Sequence, residues 1–203
     1  MRAAVRISMA GLLVFFFSSC LDVETRIDLE EDDSGRMTVS YKIENELWDL
    51  GVFDSDSRRR AVPVTEGDFR RTARRTDGLE LRDYERTRGE ETTAVRAELA
   101  FSDLAALNGA YAPGRALIET EEVADGRVYR QALRTGEEYR VKDQELLRTF
   151  FEDYRIIFEV AVPEPIESAN HGKVLDGDRA ARLSLDIVEF LNSTDELTWE
   201  IRF

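Results

Sequence analysis

The sequence predicts an α+β protein in which antiparallel β-hairpins form a sheet and a few helices pack on it. Several stretches alternate apolar and polar side chains, which is typical of strands with one buried face. Turn signals such as Asp125-Gly126 separate these stretches and favour hairpins. Residues 142–153 carry apolar side chains at helical spacing instead, so we expect at least one helix beside the strands.

The chain after residue 20 opens with a predicted β-hairpin over 21–44. Residues 21–30 alternate apolar or neutral side chains with charged ones, and residues 37–43 alternate again. The sequence EDDSG at 31–35 lies between the two stretches and is rich in turn-forming residues. The expected inward side chains are Val23, Thr25, Ile27, Leu29, Met37, Val39, Tyr41 and Ile43.

Two short helices are predicted next. The first covers 45–53 and has Asn45 as its expected cap. The second begins at Thr65 or Asp68 and continues to residue 75. The expected apolar anchors of this second helix are Phe69 and Ala73.

Two more hairpins follow, with strands predicted at 79–86, 92–101, 116–123 and 127–133. Between the hairpins we expect a short helix over 104–108, and Gly109 is predicted to end it, because glycine commonly follows the last helical residue.

Residues 142–153 form the clearest predicted helix. Its apolar face, expected to pack on the sheet, consists of Leu146, Leu147, Phe150, Phe151 and Tyr154. A helix over an antiparallel sheet can also leave an apolar ligand cavity, so a solid core and a cavity both remain open. Strands are predicted at 154–162, which Pro163 ends, and at 196–203, with another element over 180–191.

The first twenty residues have the order of an export signal. Arg2 and Arg6 precede an apolar run over 9–17, and two serines then lead to Cys20. The apolar run is shorter than the roughly 20 residues that a permanent membrane helix needs. We therefore expect a signal that is removed from the mature protein.

Cys20 is the only cysteine, so an internal disulfide cannot form and the thiol needs another role. The stretch LLVFFFSSC at 12–20 is similar to a bacterial lipoprotein signal, which implies removal of residues 1–19 and a diacylglyceryl group on Cys20. An ordinary secretory signal and a buried apolar cysteine are the alternatives. Each buried acyl CH₂ contributes about 0.8 kcal/mol, so two or three chains of palmitate type would hold the protein durably at a membrane.

The acidic composition argues against nucleic acid as a partner. Without Arg2 and Arg6, 26 basic residues remain against 42 acidic ones, a net charge of about −16. Such a surface repels polyanions at long range. The regular strand patterns and 42% apolar content argue against disorder.

No stretch predicts a catalytic centre, a cofactor or a metal site. His171 is the only histidine and lies in a predicted turn, and no Gly-x-Ser-x-Gly elbow or phosphate-binding glycine loop is present. A zinc site would need more histidine or cysteine than the chain has. The acidic turn 30–33 lacks the alternating ligands of a calcium loop. We therefore expect a protein that is not an enzyme.

The stretch 58–75 is the one basic region of this acidic chain. Its seven arginines are accompanied by only two acidic residues, Glu66 and Asp68. Arginine clusters bind phosphate or carboxylate groups of lipids and envelope polymers, and they also occur as solvated surface that pairs with nearby acids. The candidate anionic-ligand contacts are Arg58, Arg59, Arg60, Arg70, Arg71, Arg74 and Arg75.

The two ends of the chain together resemble the LppM-type bacterial lipoprotein domain. The first end comprises CLDV at 20–23 and the hairpin with Ser34-Gly35 at its tip. The second, 160–203, contains Pro163, Ile166, Asn170, Gly172 and Asp176-Gly177 before the final strand. The resemblance implies an extracytoplasmic α+β domain, a role in binding envelope lipids or glycolipids, and no catalytic residue. Some relatives carry a C-terminal membrane helix, which is not expected here because the sequence stops at Phe203.

The sequence thus predicts a signal peptide over 1–19 and one domain over 20–203, with 45–150 as a candidate inserted central part. The expected function is that of a membrane-anchored envelope lipoprotein that binds a lipid or glycolipid, and the alternative is an assembly adaptor that docks an envelope protein. The residue after Cys20 is Leu21 and not the aspartate that favours inner-membrane retention, so we expect an outer-membrane location if such a membrane is present.

Overall fold

A computed structural model of the chain describes residues 23–49, 63–111, 115–135 and 154–203. Its strands are β1 Val23–Leu29, β2 Gly35–Glu44, β3 Leu79–Arg88, β4 Thr92–Phe101, β5 Ile118–Val123, β6 Gly126–Arg134, β7 Arg155–Ala161, β8 Ser168–Ala169, β9 Lys173–Val174, β10 Ala180–Asp186 and β11 Leu197–Arg202. Its helices are α1 Asn45–Asp49, α2 Glu66–Arg75, α3 Leu104–Tyr111 and α4 Ile187–Asn192.

The strands form two sheets. The larger has seven strands in the order β3-β4-β2-β1-β7-β10-β9, and the smaller has four in the order β5-β6-β11-β8. The predicted α+β class with mostly antiparallel hairpins is confirmed. One pairing was not foreseen: β1 and β7 run parallel at the centre of the larger sheet, and Arg26 is level with Glu159.

The inward faces of both sheets share one apolar core. Ile27 and Leu99 of the larger sheet and Trp199 and Ile201 of the smaller sheet are almost completely buried in it. The alternation predicted for the first hairpin and for the last strand is confirmed, because their inward residues belong to this core. The opposite face of the larger sheet is left for polar side chains.

The predicted start and anchors of α2 are confirmed. Thr65 is the N-cap, and a capping box links its side chain and backbone to Asp68. Phe69 is buried beneath the helix and packs on Tyr84 of β3 with ring centroids 5.9 Å apart. Ala73, one turn later, packs partly against the same core.

The predicted end of α3 was wrong. The helix continues through Gly109 to Tyr111 instead of stopping at Asn108. A Cβ atom on Gly109 would lie 2.6 Å from Cγ2 of Thr76, so the glycine permits close packing against the end of α2 and does not terminate the helix. Asn108 is buried and accepts hydrogen bonds from the N–H groups of Leu117 and Ile118, each 2.8 Å long.

Two other predictions changed in detail, and two lie partly or wholly outside the described residues. The stretch 180–191 divides into β10 and α4, because Asp186 accepts a hydrogen bond from the N–H of Glu189 and caps the helix. Asn45 is the first residue of α1, and its amide donates to the carbonyls of Gly89 and Glu90 in the β3–β4 turn. The predicted helix 142–153 and the part of 45–53 beyond Asp49 lie outside the described residues.

Candidate functional site

The outer face of the larger sheet, opposite the core, carries a continuous polar row. The register places its members side by side on neighbouring strands: Glu98, Thr38, Arg26, Glu159, Arg182 and Lys173. Charged side chains on a solvated sheet face are ordinary. The unusual member is Glu159, which is only 6% exposed although it lies on this face.

Two arginines from neighbouring strands enclose Glu159. Nη1 of Arg26 on β1 binds Oε1 of Glu159, and Nη1 of Arg182 on β10 lies 3.5 Å from Oε2. Each arginine also has a second carboxylate: Arg26 Nη2 is 2.7 Å from Asp28, and Arg182 Nη2 is 2.9 Å from Glu24. We call these five residues the Glu159 network.

The Glu159 network holds its guanidinium groups in fixed positions. The hydrogen bond with Asp28 is the main cause that raises the pKa of Arg26, and the nearby charge of Glu159 adds to it. Bidentate and shared arginine–carboxylate pairs restrict the long arginine side chains more than a single contact does. The outer face therefore presents preorganised donors and acceptors.

A polar groove of about 650 Å³ lies over the Glu159 network. Four of the five network residues line it, all except Arg182, and its walls also include Arg36, Thr38, Ser40, Arg96 and Glu98. A second groove of about 410 Å³ continues from Glu24 and Ser40 towards Lys42 and Thr87. Guanidinium, carboxylate and hydroxyl groups in one groove match a polyhydroxylated or zwitterionic headgroup better than an acyl chain.

The predicted arginine stretch is only partly brought together. Arg70 and Arg71 pair within α2, with Nη2 atoms 2.5 Å from Glu66 and from Asp68 respectively. Within the described ranges, Arg74 and Arg75 are exposed and have no ion-pair partner. Arg58, Arg59 and Arg60 lie outside the described residues, as does Cys20.

The end of α2 lies far from the start of β1. The helix leads through Gly78 into Leu79, and Leu79 and Gly35 both pair with Phe101. Because Gly35 is level with the last residue of β1, the seven residues of that strand separate this end from Val23 by about 20 Å. The free arginines of α2 are thus displaced from the end of the sheet at which β1 begins.

Tyrosine hydroxyls fix the segment that leads into α2. Tyr41 donates to the carbonyl of Pro63 at 2.6 Å, and Tyr84 donates to the carbonyl of Val64 at 3.1 Å. Burial raises the pKa of both tyrosines, so both remain neutral donors at physiological pH. Burial alone would raise the pKa of Asp68, but hydrogen bonds from Thr65, Val64 and Arg71 leave it below its usual value.

A second polar cluster joins the two sheets. Arg127 of β6 lies 2.7 Å from Asp33 in the β1–β2 turn and 2.8 Å from Glu122 of β5. Thr120 donates to Asp33 at 3.0 Å, and Asp33 has a positive φ of 63°. These contacts hold the hairpin tip against the smaller sheet, which is a structural role.

The described part of the chain presents no metal-binding group of histidine, cysteine, aspartate and glutamate. His171 is exposed, and its carbonyl accepts a 3.0 Å hydrogen bond from Nε1 of Trp199, which agrees with the predicted turn. No helix among the described residues is long and apolar enough to cross a bilayer.

The Glu159 network was missed from the sequence. One signal was present: Glu159 is a charged residue in the middle of the apolar stretch 156–162. Its partners Arg26 and Arg182 belong to strands distant in sequence, and local alternation does not reveal which strands are neighbours.

Comparison with known proteins found a similar solved structure and no matching family. No protein-family model and no curated protein match the chain. A solved structure similar to it is the folded domain of LppM from Mycobacterium tuberculosis, determined by NMR. The identity is 12%, 90% of each chain is covered, and the TM-score is 0.49. This structure belongs to the type of domain that the two ends of the sequence resemble, and no residue role is transferred from it.

Proposed function

We propose that the protein is a membrane-anchored envelope lipoprotein, lipidated at Cys20, whose folded domain is a non-enzymatic module that binds the polar headgroup of an envelope lipid or glycolipid. The observation that carries this proposal is the buried Glu159 between Arg26 and Arg182 beneath a polar groove. The carboxylate of Glu159 is withdrawn from solvent and holds the guanidinium of Arg26 in the groove wall, which reduces the entropy that a ligand must otherwise overcome.

The position of the groove supports a ligand from the anchoring membrane. Glu24, which contributes to both grooves, directly follows Val23, and Val23 is three residues after Cys20. A headgroup that projects from the membrane would therefore meet the groove at its near end. Arginine donors suit phosphate, while serine, threonine and carboxylate groups suit sugar hydroxyls.

The location needs its own test. Intact-mass measurement on protein from the native host should show a chain that begins at Cys20 and carries acyl groups. The Cys20→Ser variant is the matched control and should be released from the membrane fraction. A wild-type chain that retains residues 1–19 would contradict the lipoprotein assignment. If the host has an outer membrane, we expect the lipidated protein in the outer-membrane fraction.

Headgroup binding is tested by lipid analysis of the purified lipidated protein. Wild type should retain a headgroup-bearing lipid, and the double variant Arg36→Ser/Arg96→Ser should lose it, because both side chains form the groove wall. Arg82→Ser is the matched control, since Arg82 is an exposed β3 residue outside the two grooves and pairs with Glu80. Equal lipid content in both variants, or none in wild type, would refute the binding role.

A second candidate function is an assembly adaptor, which the position of Arg74 and Arg75 favours. They lie about 20 Å from the start of β1, beyond the roughly 8 Å over which a charged surface acts at physiological salt. An acidic partner protein could reach them without competition from the anchoring membrane. Replacing both with serine should reduce the protein's cross-linked partners in the envelope, with Arg82→Ser as control, and an unchanged cross-linking pattern would remove this candidate.

A further inference from the structure

The start of β1 lies in a notch at one end of the larger sheet. Glu24 pairs with Ser40, so Val23 is level with Tyr41, and β2 continues for three more residues to Glu44. At about 3.4 Å per residue, β2 and its neighbour β4 extend about 10 Å beyond the level of Val23. The β3–β4 turn, residues 89–91, extends further still, whereas α1 packs back beside β3, where Trp48 contacts Arg86 and Asp49 binds Arg88.

The other side of the notch also projects. Val23 is level with Ile156 of β7, which pairs with Leu185 of β10. On this side β7 and β10 continue beyond that level by only one residue each, Arg155 and Asp186, before α4 begins. The side formed by β2 and β4 therefore projects further along the strand direction and lies closer than Val23 to a surface at that end of the sheet.

The tether between the lipid and the domain is about as long as the projection. Cys20 is three residues before Val23, and a fully extended chain of three residues spans at most about 11 Å. The maximum span of the tether is thus only about as long as the roughly 10 Å by which β2 and β4 extend beyond Val23. In any less extended conformation of the tether, the projecting strands contact the membrane. This step rests on the proposed lipidation of Cys20.

We infer that the domain stands directly on its anchoring membrane through the anchor-side overhang, defined as residues 42–49 and 86–94. The partner surface is the headgroup layer of that bilayer. The short tether causes the overhang to contact the membrane, and side-chain contacts within the overhang keep it rigid.

The overhang is a braced unit. The guanidinium of Arg86 lies 5.3 Å from the ring centroid of Trp48, and Arg88 makes two hydrogen bonds of 3.0 and 3.1 Å to Asp49. Asn45 accepts a hydrogen bond from Thr93 at 2.7 Å while its amide donates to the β3–β4 turn. These contacts connect α1 to β3 and β4, so the three elements are held in fixed positions relative to one another.

The charge of the overhang selects the headgroup chemistry. Residues 42–49 and 86–94 contain five acidic and three basic side chains, so the net charge is −2. We therefore expect closer contact with zwitterionic headgroups than with anionic ones, which would repel the overhang.

Two matched labels test the inference on the full lipidated protein. The acylated sulfur of Cys20 cannot react, so a new cysteine is labelled alone. Glu90→Cys places a nitroxide in the overhang, and Glu80→Cys places one on an equally exposed glutamate about 25 Å away at the other end of β3. The proteins are bound to phosphatidylcholine vesicles that contain nickel-chelating headgroups.

Relaxation enhancement by nickel should be several-fold stronger at position 90 than at position 80. A flexible insert of about eight Gly and Ser residues between Leu21 and Asp22 should reduce the enhancement at 90, because it releases the domain from the surface. Partial replacement of phosphatidylcholine by phosphatidylglycerol should also reduce it.

Equal enhancement at the two positions, or a stronger signal at 80, would overturn the inference. If the relaxation enhancement at position 90 stayed the same in the variant with the insert, the short tether would not be the cause of the contact. Flotation of the vesicles separates these results from a failure of the proposed function: protein that does not float with the vesicles lacks its anchor, which overturns lipidation and this inference together.

Discussion

The Glu159 network makes a quantitative prediction for the variant Glu159→Gln. The change keeps the shape of the side chain and removes the charge between two arginines. Exposed ion pairs contribute about 0.2–1 kcal/mol, whereas breaking a buried pair costs about 3–5 kcal/mol. The carboxylate is 7% exposed but its partners are 44% and 35% exposed, so the network lies between these limits.

We therefore expect Glu159→Gln to lower the free energy of unfolding by about 2 kcal/mol, between the exposed and buried limits. Arg26 and Arg182 retain Asp28 and Glu24 as partners, which keeps the loss below that of a fully orphaned charge. For a chain of this size the melting temperature should fall by about 4–8 °C.

The measurement is urea unfolding of residues 21–203, followed by tryptophan fluorescence. Glu80→Gln is the control, because its pair with Arg82 is 3.0 Å long but more than half exposed on both sides and should cost less than about 0.5 kcal/mol. If Glu159→Gln cost no more than this control, the buried carboxylate would not be holding the two arginines, and the proposed binding groove would lose its basis.

Three further outcomes are expected from local features. Thr65→Ala should destabilise the domain by about 1 kcal/mol in urea unfolding, because the cap of α2 is lost, and Thr65→Ser should restore most of it. Gly35→Ala should cost well over 1 kcal/mol, since its Cβ would lie 2.1 Å from the backbone oxygen of Asp28. In Gly67→Ala of α2 the Cβ would make only an ordinary 3.7 Å contact with Oγ1 of Thr65, so this variant should stabilise by up to about 1 kcal/mol; equal effects of the two variants would contradict the packing. The pKa of Asp68 is lowered in the folded state, so its contribution is complete above the unfolded value near 3.9 and is lost as the pH falls through the lower folded value. The stability gap between wild type and Asp68→Asn should therefore shrink from pH 5 to pH 3, and a gap that stays constant would contradict the shift.

Local patterns predicted many of the described elements. The period of two in the first hairpin and in the last strand identified the side chains that enter the core, including Tyr41 and Trp199. The cap and anchors of α2 were predicted from Thr65 and Phe69, because capping and helical burial depend on neighbours within four residues. The prediction that Gly109 ends α3 was wrong. Glycine occurs both at helix ends and at close helix contacts, and only the nearby position of Thr76 in the structure shows that Gly109 serves the second role.

The candidate site is a different case. Alternation placed Glu159 opposite the inward residues of its strand, but its burial depends on Arg26, which is 133 residues away, and on Arg182. Likewise the seven arginines all lie within the stretch 58–75, yet two of those described are neutralised within α2, and the helix ends away from the start of β1.

The amino-acid sequence alone determined the class of the fold and the faces of its strands, and it predicts lipid attachment at Cys20, because each of these depends on side chains within a few positions of one another. Only the tertiary structure decided that β1 lies beside β7, that Glu159 is enclosed by arginines, and that β1 begins in a notch between its neighbours. The reason is physical: strand neighbours are selected by the packing of the whole core, and hydrogen bonds between strands carry no signature in either strand's own sequence.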